Sequence, residues 1–506
     1  MRRRTVLLVT VGAVVVGGAV AAWKQEDIRR DVRLSPSYAR ISQLPVLDAV
    51  LPRSTLNRRL VTGIALGGTA ARPVLYVSSS DPRLPDLERR RLSSDSNSGI
   101  LSRLTLAGAG WRHQQLVRGL PRSRHQHAPN GLALDEQAGV LYLAVGSMTD
   151  SGWPSSHFQY LPEYALSGGL LRIDLRDLVA PPYDLPTLDD PTRAGDPDPG
   201  DPFGGNGGLN QARLPTSGPV RLHTAGLRNP YDVVRTRAGR LYVTDNGPSP
   251  ADPAASETCS NEPHEGGPRR VDSLRDVTAP GTYGGHPNPT RGGAVTHPDQ
   301  IGTPVARPDR RQCLPLPVSE VDGVVTTFET STNGLTEYTS SALGGVLTGA
   351  LLTVSLDGSL ILVDPRRRGP AAQVRLSDAV AVVPLDVTAV GDDGPFPGSI
   401  WVADWAAGRI VVLAPGPNGS CAPISGRCFR RSTLQGARLD SPTSIAWGPD
   451  GRLYVSEQDG LIRAFSVDRN SAGELTVTDD ETITAVRDIA NHDDDGRPAA
   501  RLPLVD

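Results

Sequence analysis

Two adjacent polar side chains in the stretch GLRNPYDVV, residues 226–234, could take part in chemistry at the start of a strand. Arg228 supplies a fixed cation, Asn229 supplies an amide, and Pro230 follows directly. A positioned cation beside a hydrogen-bond donor can hold an anionic group or stabilise negative charge that develops during a reaction. An arginine at a corner can equally bond to loop carbonyls, so a catalytic and a structural interpretation of Arg228 both stay open.

Two histidines in RHQHAPNG, residues 124–131, are the candidates for a general base. Histidine suits this role because its unperturbed pKa lies near neutrality. His125 and His127 lie two residues apart, so an extended chain directs both side chains to the same side. The Asn-Gly turn that follows favours His127, and a buried structural histidine is the alternative. The sequence has no HExxH pair and no Gly-x-Ser-x-Gly element, which disfavours a zincin or an α/β-hydrolase.

A repeated unit must position these side chains. Each copy has a short apolar strand, a Gly/Asp turn and a strand of the Leu-Tyr-Val type, as in NPYDVVRTRAGRLYVTDNG, and the copies begin at residues 61, 130, 229, 344, 384 and 441. Such units cannot bury a core alone, and closing them in a ring removes exposed strand edges. The repeat therefore predicts an all-β fold, a six-bladed β-propeller over residues 55–490, with a pair of β-sandwiches as the alternative. Two long loop insertions, 176–222 and 249–342, are expected on one face of the ring.

The N-terminus has the composition of an export signal. Three arginines precede an uncharged run over residues 5–23, and Ala19-Val20-Ala21 resembles a cleavage site. The run is also just long enough to span a bilayer, so residues 1–23 are predicted to be a signal peptide or a signal anchor. Residues 24–54 then form a linker and residues 491–506 a C-terminal tail. The protein is expected to be secreted or anchored at the cell surface.

Composition and cysteine content agree with that location. The chain has 506 residues, with 52 basic and 55 acidic side chains and a net charge of −3, so no global field favours nucleic acid. Four cysteines allow three pairings. We favour Cys421–Cys428, which are close in sequence, and Cys259–Cys313, which flank a Pro/Gly-rich segment. The sequence has no tight CxxC pair of the kind that zinc sites usually contain.

Four of these stretches together resemble one family, the soluble dehydrogenases for glucose and sorbosone that depend on pyrroloquinoline quinone (PQQ). The stretches are RHQHAPNGLALDEQAGVLYLAVGS, GLRNPYDVV, DNGP at residues 245–248 and VDSLRDVTAPGTYGGHPNP from residue 271. The family consists of six-bladed propellers, and the likeness covers most of residues 60–467. The last repeat, from residue 441, is similar to the opening blade of the family, which would be a circular permutation.

The resemblance implies an exported enzyme that oxidises an aldose-type hydroxyl of a small sugar and passes hydride to PQQ. His127 would be the general base for the C1 hydroxyl. Arg228 would polarise a quinone oxygen with Asn229 as a second donor. The main-chain carbonyls of Gly247 and Pro248 would hold a Ca²⁺ that bridges to the cofactor. The final electron acceptor is not identified by the sequence.

The sequence departs from the family where PQQ carboxylates are bound. Asp357 stands at the position of a family lysine, and Val383 and Leu385 stand at the positions of two arginines. Arg291 or Arg311 of the long insertion could supply substitute cations. Two other functions therefore stay open, namely a glycan- or protein-binding propeller that has lost the cofactor and a calcium-dependent lactonase. The acidic run at residues 491–495 is either a calcium loop or a solvated turn.

Overall fold

A computed structural model shows six antiparallel β-sheets, or blades, arranged in a ring, so the predicted six-bladed propeller is confirmed and the paired β-sandwich is wrong. The innermost strands of neighbouring blades contact each other all the way round, including those of blades 6 and 1. The structure describes residues 58–83, 95–108, 110–178, 181–185, 218–247, 271–293, 320–329, 331–416 and 428–492, together with 259, 262–264, 309–313, 316, 424 and 499.

The strands follow one another outward from the centre within each blade. Blade 1 contains β1 (Leu60–Thr69), β2 (Arg72–Ser80), β3 (Gly99–Ala107) and β4 (Gly110–Leu120). Blade 2 contains β5 (Pro129–Asp135), β6 (Val140–Val145), β7 (Gly169–Asp174) and β9 (Val220–Ala225). Blade 3 contains β10 (Asn229–Arg235), β11 (Leu241–Asn246), β12 (Asp272–Asp276) and β13 (Val324–Phe328). The short strand β8 (Tyr183–Asp184) lies within the first predicted insertion and pairs in parallel with β4 of blade 1.

The last three blades use consecutive strands. Blade 4 contains β14 (Thr332–Glu337), β15 (Leu351–Ser355), β16 (Leu360–Val363) and β17 (Gln373–Ser377). Blade 5 contains β18 (Pro384–Ala389), β19 (Ile400–Asp404), β20 (Arg409–Pro415) and β21 (Phe429–Thr433). Blade 6 contains β22 (Pro442–Trp447), β23 (Leu453–Glu457), β24 (Ile462–Arg469) and β25 (Leu475–Ile483). The helices in the described residues are short, namely α1 (Pro289–Gly292) and 3₁₀ turns at Ser156–Phe158, Arg310–Cys313, Ala342–Gly345 and Gly369–Ala372.

Two details of the predicted organisation are wrong. Residues 249–342 are not one insertion, because they contain β12, β13 and β14. The repeat copy from residue 344 covers the second and third strands of blade 4, whereas the other copies begin at the innermost strand. The innermost strand of blade 4, TNGLTE, is weakly apolar and is separated from β15 by a turn, so the repeat pattern misses it.

The apolar core lies between blades. Six large clusters of buried side chains each join two neighbouring blades, for example the one that packs Leu352 and Val354 of blade 4 against Val402 and Val411 of blade 5. Burial of both faces of every sheet is what stabilises the ring, because a single four-stranded sheet has no partner for its faces.

Every innermost strand carries a β-bulge near its start. A bulge residue can turn its side chain towards the next blade. Thr62 donates a hydrogen bond to the carbonyl of Pro129, and the amide of Asn130 donates to the carbonyl of Pro230 at 2.9 Å. The bulges therefore link successive blades around the central channel.

Side chains close the ring. In the part of the chain that the structure describes, the strands of blade 6 all come from one segment, 442–483. The hydroxyl of Thr443 donates to the carbonyl of Val61 at 2.8 Å, which joins blade 6 to blade 1. Arg59, which is fully buried, donates to the side-chain oxygen of Asn491 at 2.9 Å. The last blade is thus fixed to the first by polar contacts as well as by the shared core.

The predicted Cys259–Cys313 disulfide is present. Cys428 is also disulfide-bonded, and its predicted partner Cys421 lies outside the described residues. The predicted export segment 1–23, the linker 24–54 and most of the acidic run at 491–495 lie outside them as well. Within the described part of the chain, no helix has the length and apolar character needed to cross a membrane.

Candidate functional site

Two loops at one end of the channel position His127. The first connects β4 to β5, and there the His127 main-chain N–H donates to the Ser123 hydroxyl at 2.9 Å while its carbonyl accepts from Ser123 N–H at 3.0 Å. The second loop follows β6 and brings Ser147 against the imidazole. Phe158 of the same loop lies against the ring, with the ring centres 5.0 Å apart. The imidazole therefore has a fixed orientation before any ligand binds.

The hydrogen bonds of His127 define its tautomer. Its Nδ1 lies 2.9 Å from the main-chain carbonyl oxygen of Ser147, and a carbonyl can only accept, so Nδ1 carries the proton. Nε2 is then the nitrogen with the lone pair, and this buried atom has no hydrogen-bond partner among the described residues. Burial and the nearby Arg228 cation hold the pKa of His127 well below its usual value. His127 is thus a neutral, unpaired hydrogen-bond acceptor.

Ser147 contacts both His127 and Arg228. Its carbonyl accepts from the imidazole, and its N–H donates to the Arg228 carbonyl at 2.7 Å. The preceding residue, Gly146, allows this approach, because an added Cβ would lie 2.7 Å from His127 Cβ and 2.9 Å from Asn229 Oδ1. Any larger residue at position 146 would push the two loops apart.

Arg228 forms a salt bridge in a largely closed environment. Its Nη2 donates to Oδ1 of Asp150, and its Nε lies 3.1 Å from the same oxygen and 3.2 Å from the Asp150 carbonyl. The two side chains are only 5 % and 15 % exposed. The carboxylate neutralises the guanidinium that was predicted to face an anionic ring. This geometry matches the corner interpretation of Arg228 more closely than the cofactor-binding one.

The side chain of Asn229 takes part in contacts between strands. Its Oδ1 accepts from Asn130 at 3.1 Å, and its Nδ2 donates to Asn246 at 3.3 Å. The carboxylate of Asp245 accepts from the main-chain N–H groups of Arg228 and Asn229 at 2.9 and 3.1 Å. Asp245, which the resemblance places at the start of a calcium loop, therefore fixes the backbone of the Arg-Asn corner.

The predicted calcium ligands are only partly described. Gly247 donates its N–H to Asp272 at 2.9 Å, and Pro248 lies outside the described residues. Burial raises the pKa of Asp272 to about 7, although three hydrogen bonds to this carboxylate favour its ionised form. In the part of the chain that the structure describes, no group of three or more His, Cys, Asp or Glu side chains is arranged to hold a metal. Calcium at the two carbonyls remains a prediction.

A buried carboxylate supports the second loop. Glu163, which is fully buried, accepts from the N–H groups of Met148 and Thr149 at 3.1 Å and from the Ser167 hydroxyl at 2.5 Å. His286 lies 2.9 Å from the same carboxylate. The hydrogen bonds to this group outweigh its burial and lower the pKa of Glu163. Because Ser147 and Asp150 flank the residues that it holds, Glu163 fixes the loop that orients both His127 and Arg228.

The positions that would bind the PQQ carboxylates do not supply cations. Val383 and Leu385 are buried in an apolar cluster with Tyr231 and Trp405. Asp357 accepts from the Ser359 hydroxyl at 2.6 Å and pairs with Arg375 at 3.3 Å, so an acidic side chain stands where the family has a lysine. An acidic and two apolar side chains cannot compensate the carboxylates of a quinone.

The proposed substitutes from the long insertion are engaged elsewhere. Arg291 is buried and donates to the carbonyls of Ala165 and Ser167 at 3.1 and 2.5 Å. Arg311 is exposed and pairs with Asp309 at 2.8 Å. Among the described residues, the side chains therefore do not fit PQQ held as the resemblance implies.

Sequence reasoning missed four residues of the site, namely Ser147, Asp150, Phe158 and Glu163. Asp150 lies 78 positions before its partner Arg228, so no local spacing connects them. The repeat does carry a related pattern: the second strands of blades 3, 5 and 6 have an acidic residue at or next to their last position that accepts from N–H groups at the entrance of the innermost strand, namely Asp245, Asp404 and Glu457. This pattern marks polar contacts at this face, but it does not find Asp150, because the second strand of blade 2 ends at Val145.

Comparison with known proteins returns matches at the level of structure. No protein-family profile matches the chain, and no curated protein matches it. The chain is similar to the PQQ-bound aldose sugar dehydrogenase from Streptomyces coelicolor, at 14 % identity over 84 % of this chain and 80 % of that chain, with a TM-score of 0.28. It is also similar to the PQQ domain of a pyranose dehydrogenase from Coprinopsis cinerea, at 15 % identity over 82 % and 91 % of the two chains, with a TM-score of 0.31.

A lactonase is among the similar structures too. The periplasmic gluconolactonase PpgL from Pseudomonas aeruginosa matches at 11 % identity over 77 % of this chain and 82 % of that chain, with a TM-score of 0.35. The similar structures thus include members of the family that the sequence resembles and also proteins of another activity. A shared propeller fold does not decide between such activities, so function is argued from the residues of this chain.

Proposed function

We propose that this protein is a sugar-acting propeller whose ligand places a hydroxyl group on Nε2 of His127. The observation that carries the proposal is the buried lone pair of Nε2, which has no partner among the described residues and is held in the acceptor tautomer by Ser147. A buried acceptor without a donor costs about 1–3 kcal/mol, which a ligand hydroxyl would recover.

Other polar groups of the two loops that position His127 suit a polyhydroxylated ligand. Gln126 on the first loop and Trp153 and Ser155 on the second carry buried polar atoms without a hydrogen-bond partner among the described residues. They comprise an amide oxygen, an indole N–H and a hydroxyl, and sugar hydroxyls can both donate and accept. Phe158 adds an aromatic ring beside His127. Alternating polar groups and an aromatic surface favour a sugar over a purely apolar ligand.

Of the candidate functions, the geometry favours the propeller that has lost the ability to bind PQQ. The carboxylate of Asp150 neutralises Arg228, and Val383 and Leu385 leave the quinone carboxylates without cations. In this form His127 accepts a hydrogen bond from the sugar and the protein binds a glycan or a small sugar. The calcium-dependent lactonase is the less favoured candidate, because among the described residues no group of three or more His, Cys, Asp or Glu side chains is arranged to hold a metal.

The second candidate is the PQQ-dependent oxidation of an aldose-type hydroxyl, which would make the protein a dehydrogenase of the quinoprotein class. One observation favours it: His127 is neutral and its Nε2 lone pair has no partner among the described residues, as a base that takes a hydroxyl proton requires. When bound, PQQ would supply the hydride acceptor. The carbonyls of Gly247 and Pro248 would then hold the Ca²⁺.

We also propose that the protein works outside the cytoplasm. The Cys259–Cys313 disulfide supports export, since such bonds persist in oxidising compartments. Export by the segment 1–23, with or without anchorage through residues 5–23, stays a prediction.

One binding experiment separates the two candidates. A panel of aldoses, sugar alcohols and short glycans is titrated calorimetrically into the full protein, with and without PQQ and Ca²⁺, and dye reduction is followed in parallel. We expect sugar binding without PQQ, no visible absorbance of bound quinone, and affinity reduced at least about tenfold in His127→Ala. Quinone binding with sugar-dependent dye reduction would establish the dehydrogenase instead. Equal affinity of wild type and His127→Ala for every ligand would refute the site.

A further inference from the structure

A disulfide outside the blades lies at the end of α1, on the side of the His127 site. It joins Cys259 to Cys313, 54 positions apart in the sequence, and neither residue belongs to a strand of the ring. Cys313 ends a 3₁₀ turn, and both sulfurs lie against Gly292, the last residue of α1. An added Cβ on Gly292 would lie 2.8 Å from each sulfur. The disulfide is thus packed directly against α1.

The 3₁₀ turn and α1 are bonded to each other. The N–H of Asn288, which precedes α1, donates to the carbonyl of Gln312 at 2.9 Å, and Asp309 donates its N–H to the carbonyl of Arg291 at 2.8 Å. The guanidinium of Arg291 also donates to the side-chain oxygen of Gln312 at 2.5 Å. The disulfide therefore holds α1 through the turn that carries Cys313.

Side chains at α1 fix the second loop of the site, residues 146–168. Thr290 donates to the carbonyl of Glu163 at 2.8 Å, and Asn288 donates to that of Tyr164 at 2.8 Å. Arg291 donates to three further carbonyls of this loop, those of Ala165, Ser167 and Gly168. All three donor side chains are buried, and buried polar groups are costly to leave unpaired. The second loop therefore keeps its conformation as long as α1 stays in place.

The residues before α1 contact the corner that carries Arg228. His286 donates its N–H to the carbonyl of Gly226 at 2.7 Å. Gly226 has a φ of 73°, and an added Cβ there would lie 2.3 Å from the ring of Tyr283, so only glycine allows this approach. One stretch, residues 283–293, is thus bonded both to the Arg228 corner and to the second loop. We call it the α1 segment.

The chain that follows Cys259 holds the second loop at another point. The N–H of His264 donates to the carbonyl of Pro154 at 2.9 Å, and its ring meets the ring of Trp153 edge-on, with the ring centres 5.7 Å apart. The disulfide ties this stretch to the α1 segment, so one covalent bond connects two supports of the same loop. The six large apolar clusters between the blades include neither cysteine among the described residues, so we expect the ring core to be independent of this bond.

We propose that the redox state of the Cys259–Cys313 disulfide regulates the order of the second loop and, through it, ligand binding at His127. The binding part of this inference rests on the proposed function. A dithiol attacks the half-buried Cys259 in preference to the buried Cys313, because it can reach that sulfur more easily. It supplies two electrons and two protons, becomes a disulfide itself and leaves two cysteine thiols. The two supports of the loop then come apart, and the ligand binds more weakly while the ring stays folded.

Hydrogen exchange of the full protein without sugar tests the effect on the loop. It is measured by mass spectrometry on peptides from residues 146–168. In the double variant Cys259→Ser, Cys313→Ser we expect these amides to exchange at least about tenfold faster than in wild type, because local opening becomes easier. Peptides from the strands of the blades should exchange as in wild type. Equal exchange of residues 146–168 in the two proteins would overturn the proposal.

A second pair of cysteines provides the matched control. The double variant Cys421→Ser, Cys428→Ser removes the other disulfide-bonded cysteine and its predicted partner, and should leave the exchange of residues 146–168 unchanged. Dithiothreitol added to this control protein reduces the remaining bond in the folded state, so the test does not depend on the folding of the first variant. Alkylation counts the thiols that form. Resistance of the remaining bond to dithiothreitol, or a loop that exchanges equally before and after reduction, would overturn the proposal.

Calorimetry with glucose and the other aldoses of the panel measures the effect on binding. We expect reduction to weaken sugar affinity about 5–150-fold, the usual range of coupling between two sites. Because coupling is reciprocal, the bound sugar should protect the disulfide from dithiothreitol by the same factor, which a bond with a merely structural role would not show. Equal affinity of the oxidised and reduced protein would overturn the regulation of binding. Absence of binding of every sugar to oxidised wild type would refute the proposed function, and hydrogen exchange would still decide whether the disulfide orders the loop.

Discussion

At the scale of single residues, the orientation of one imidazole and the neutralisation of one guanidinium determine what the His127 site can do. Ser147 holds His127 in the tautomer that leaves the lone pair on Nε2. Asp150 forms a salt bridge with Arg228, the cation that an anionic cofactor would need. The first feature favours a hydroxyl ligand and the second disfavours a quinone. Both follow from loops that the innermost strands hold in place.

Removing the carboxylate of Asp150 should create anion affinity. In Asp150→Asn the Arg228 guanidinium loses its counter-charge, and a charge-assisted hydrogen bond to an anion is worth about 1.5–3 kcal/mol. We expect the affinity for PQQ, measured by calorimetry, to rise about tenfold or more. Asp309→Asn, which removes the exposed partner of Arg311, is the matched control and should leave it unchanged. Unchanged PQQ affinity in Asp150→Asn would mean that Arg228 does not face the binding site.

At the scale of elements, the polar entrances of the innermost strands recur from blade to blade. Glu457 at the end of β23 accepts from the N–H of Asp440 at 3.0 Å, as Asp245 and Asp404 do for the entrances of blades 3 and 5. Burial raises the pKa of Glu457 to about 7, so the folded state favours its protonated form. At pH values at which Glu457 of the unfolded chain would already be ionised, protonation of Glu457 therefore stabilises the folded state.

The pH dependence of stability should show this effect. The folded pKa of Glu457 lies above the unfolded value of about 4.3, so its stabilising contribution is complete below about pH 4.3 and is lost as the pH rises to about 7. Glu457→Gln mimics the protonated form and should become more stable relative to wild type over that window, on the order of 2 kcal/mol by urea unfolding. Glu474→Gln, on an exposed turn, is the control. A difference between Glu457→Gln and wild type that does not change with pH would contradict the assignment.

The sequence predicted the elements better than their contacts. Strands with a Gly/Asp turn were found because the repeat recurs with the same apolar pattern, and the copy at residue 344 was misplaced because TNGLTE lacks that pattern. His127 and Arg228 were predicted to share one site, and Ser147 joins them. The Arg228–Asp150 pair could not be predicted, since it depends on two loops that only the closed ring brings together.

At the scale of the whole molecule, closure of the ring decides whether the sites exist. Among the described residues, the strands of blade 6 all come from the segment 442–483, and polar side chains and one shared core join this blade to blade 1. The predicted circular permutation is compatible with this arrangement, because the first and last blades are neighbours in a closed ring.

The junction should be sensitive to one hydroxyl. Thr443→Val keeps the side-chain shape and removes the bond to the Val61 carbonyl, leaving a buried carbonyl without this donor. We expect a loss of about 1–2 kcal/mol in the free energy of unfolding, measured in urea. Thr478→Val, on the exposed outer strand of the same blade, should cost less than about 0.5 kcal/mol. Equal effects of the two substitutions would show that the Thr443 bond does not hold the junction.

The central claim is that Nε2 of His127 is an unpaired acceptor which receives a ligand hydroxyl. The most direct measurement is ¹⁵N NMR of the full protein labelled at its histidines, with His127→Gln used to assign the signal, across pH 6–8 and with the sugar that binds best. We expect His127 to stay neutral as the Nδ1–H tautomer throughout, because its pKa is lowered, and we expect its Nε2 signal to shift on sugar addition. Protonation of His127 near pH 6.5, or an Nε2 signal that the sugar leaves unchanged, would contradict the account.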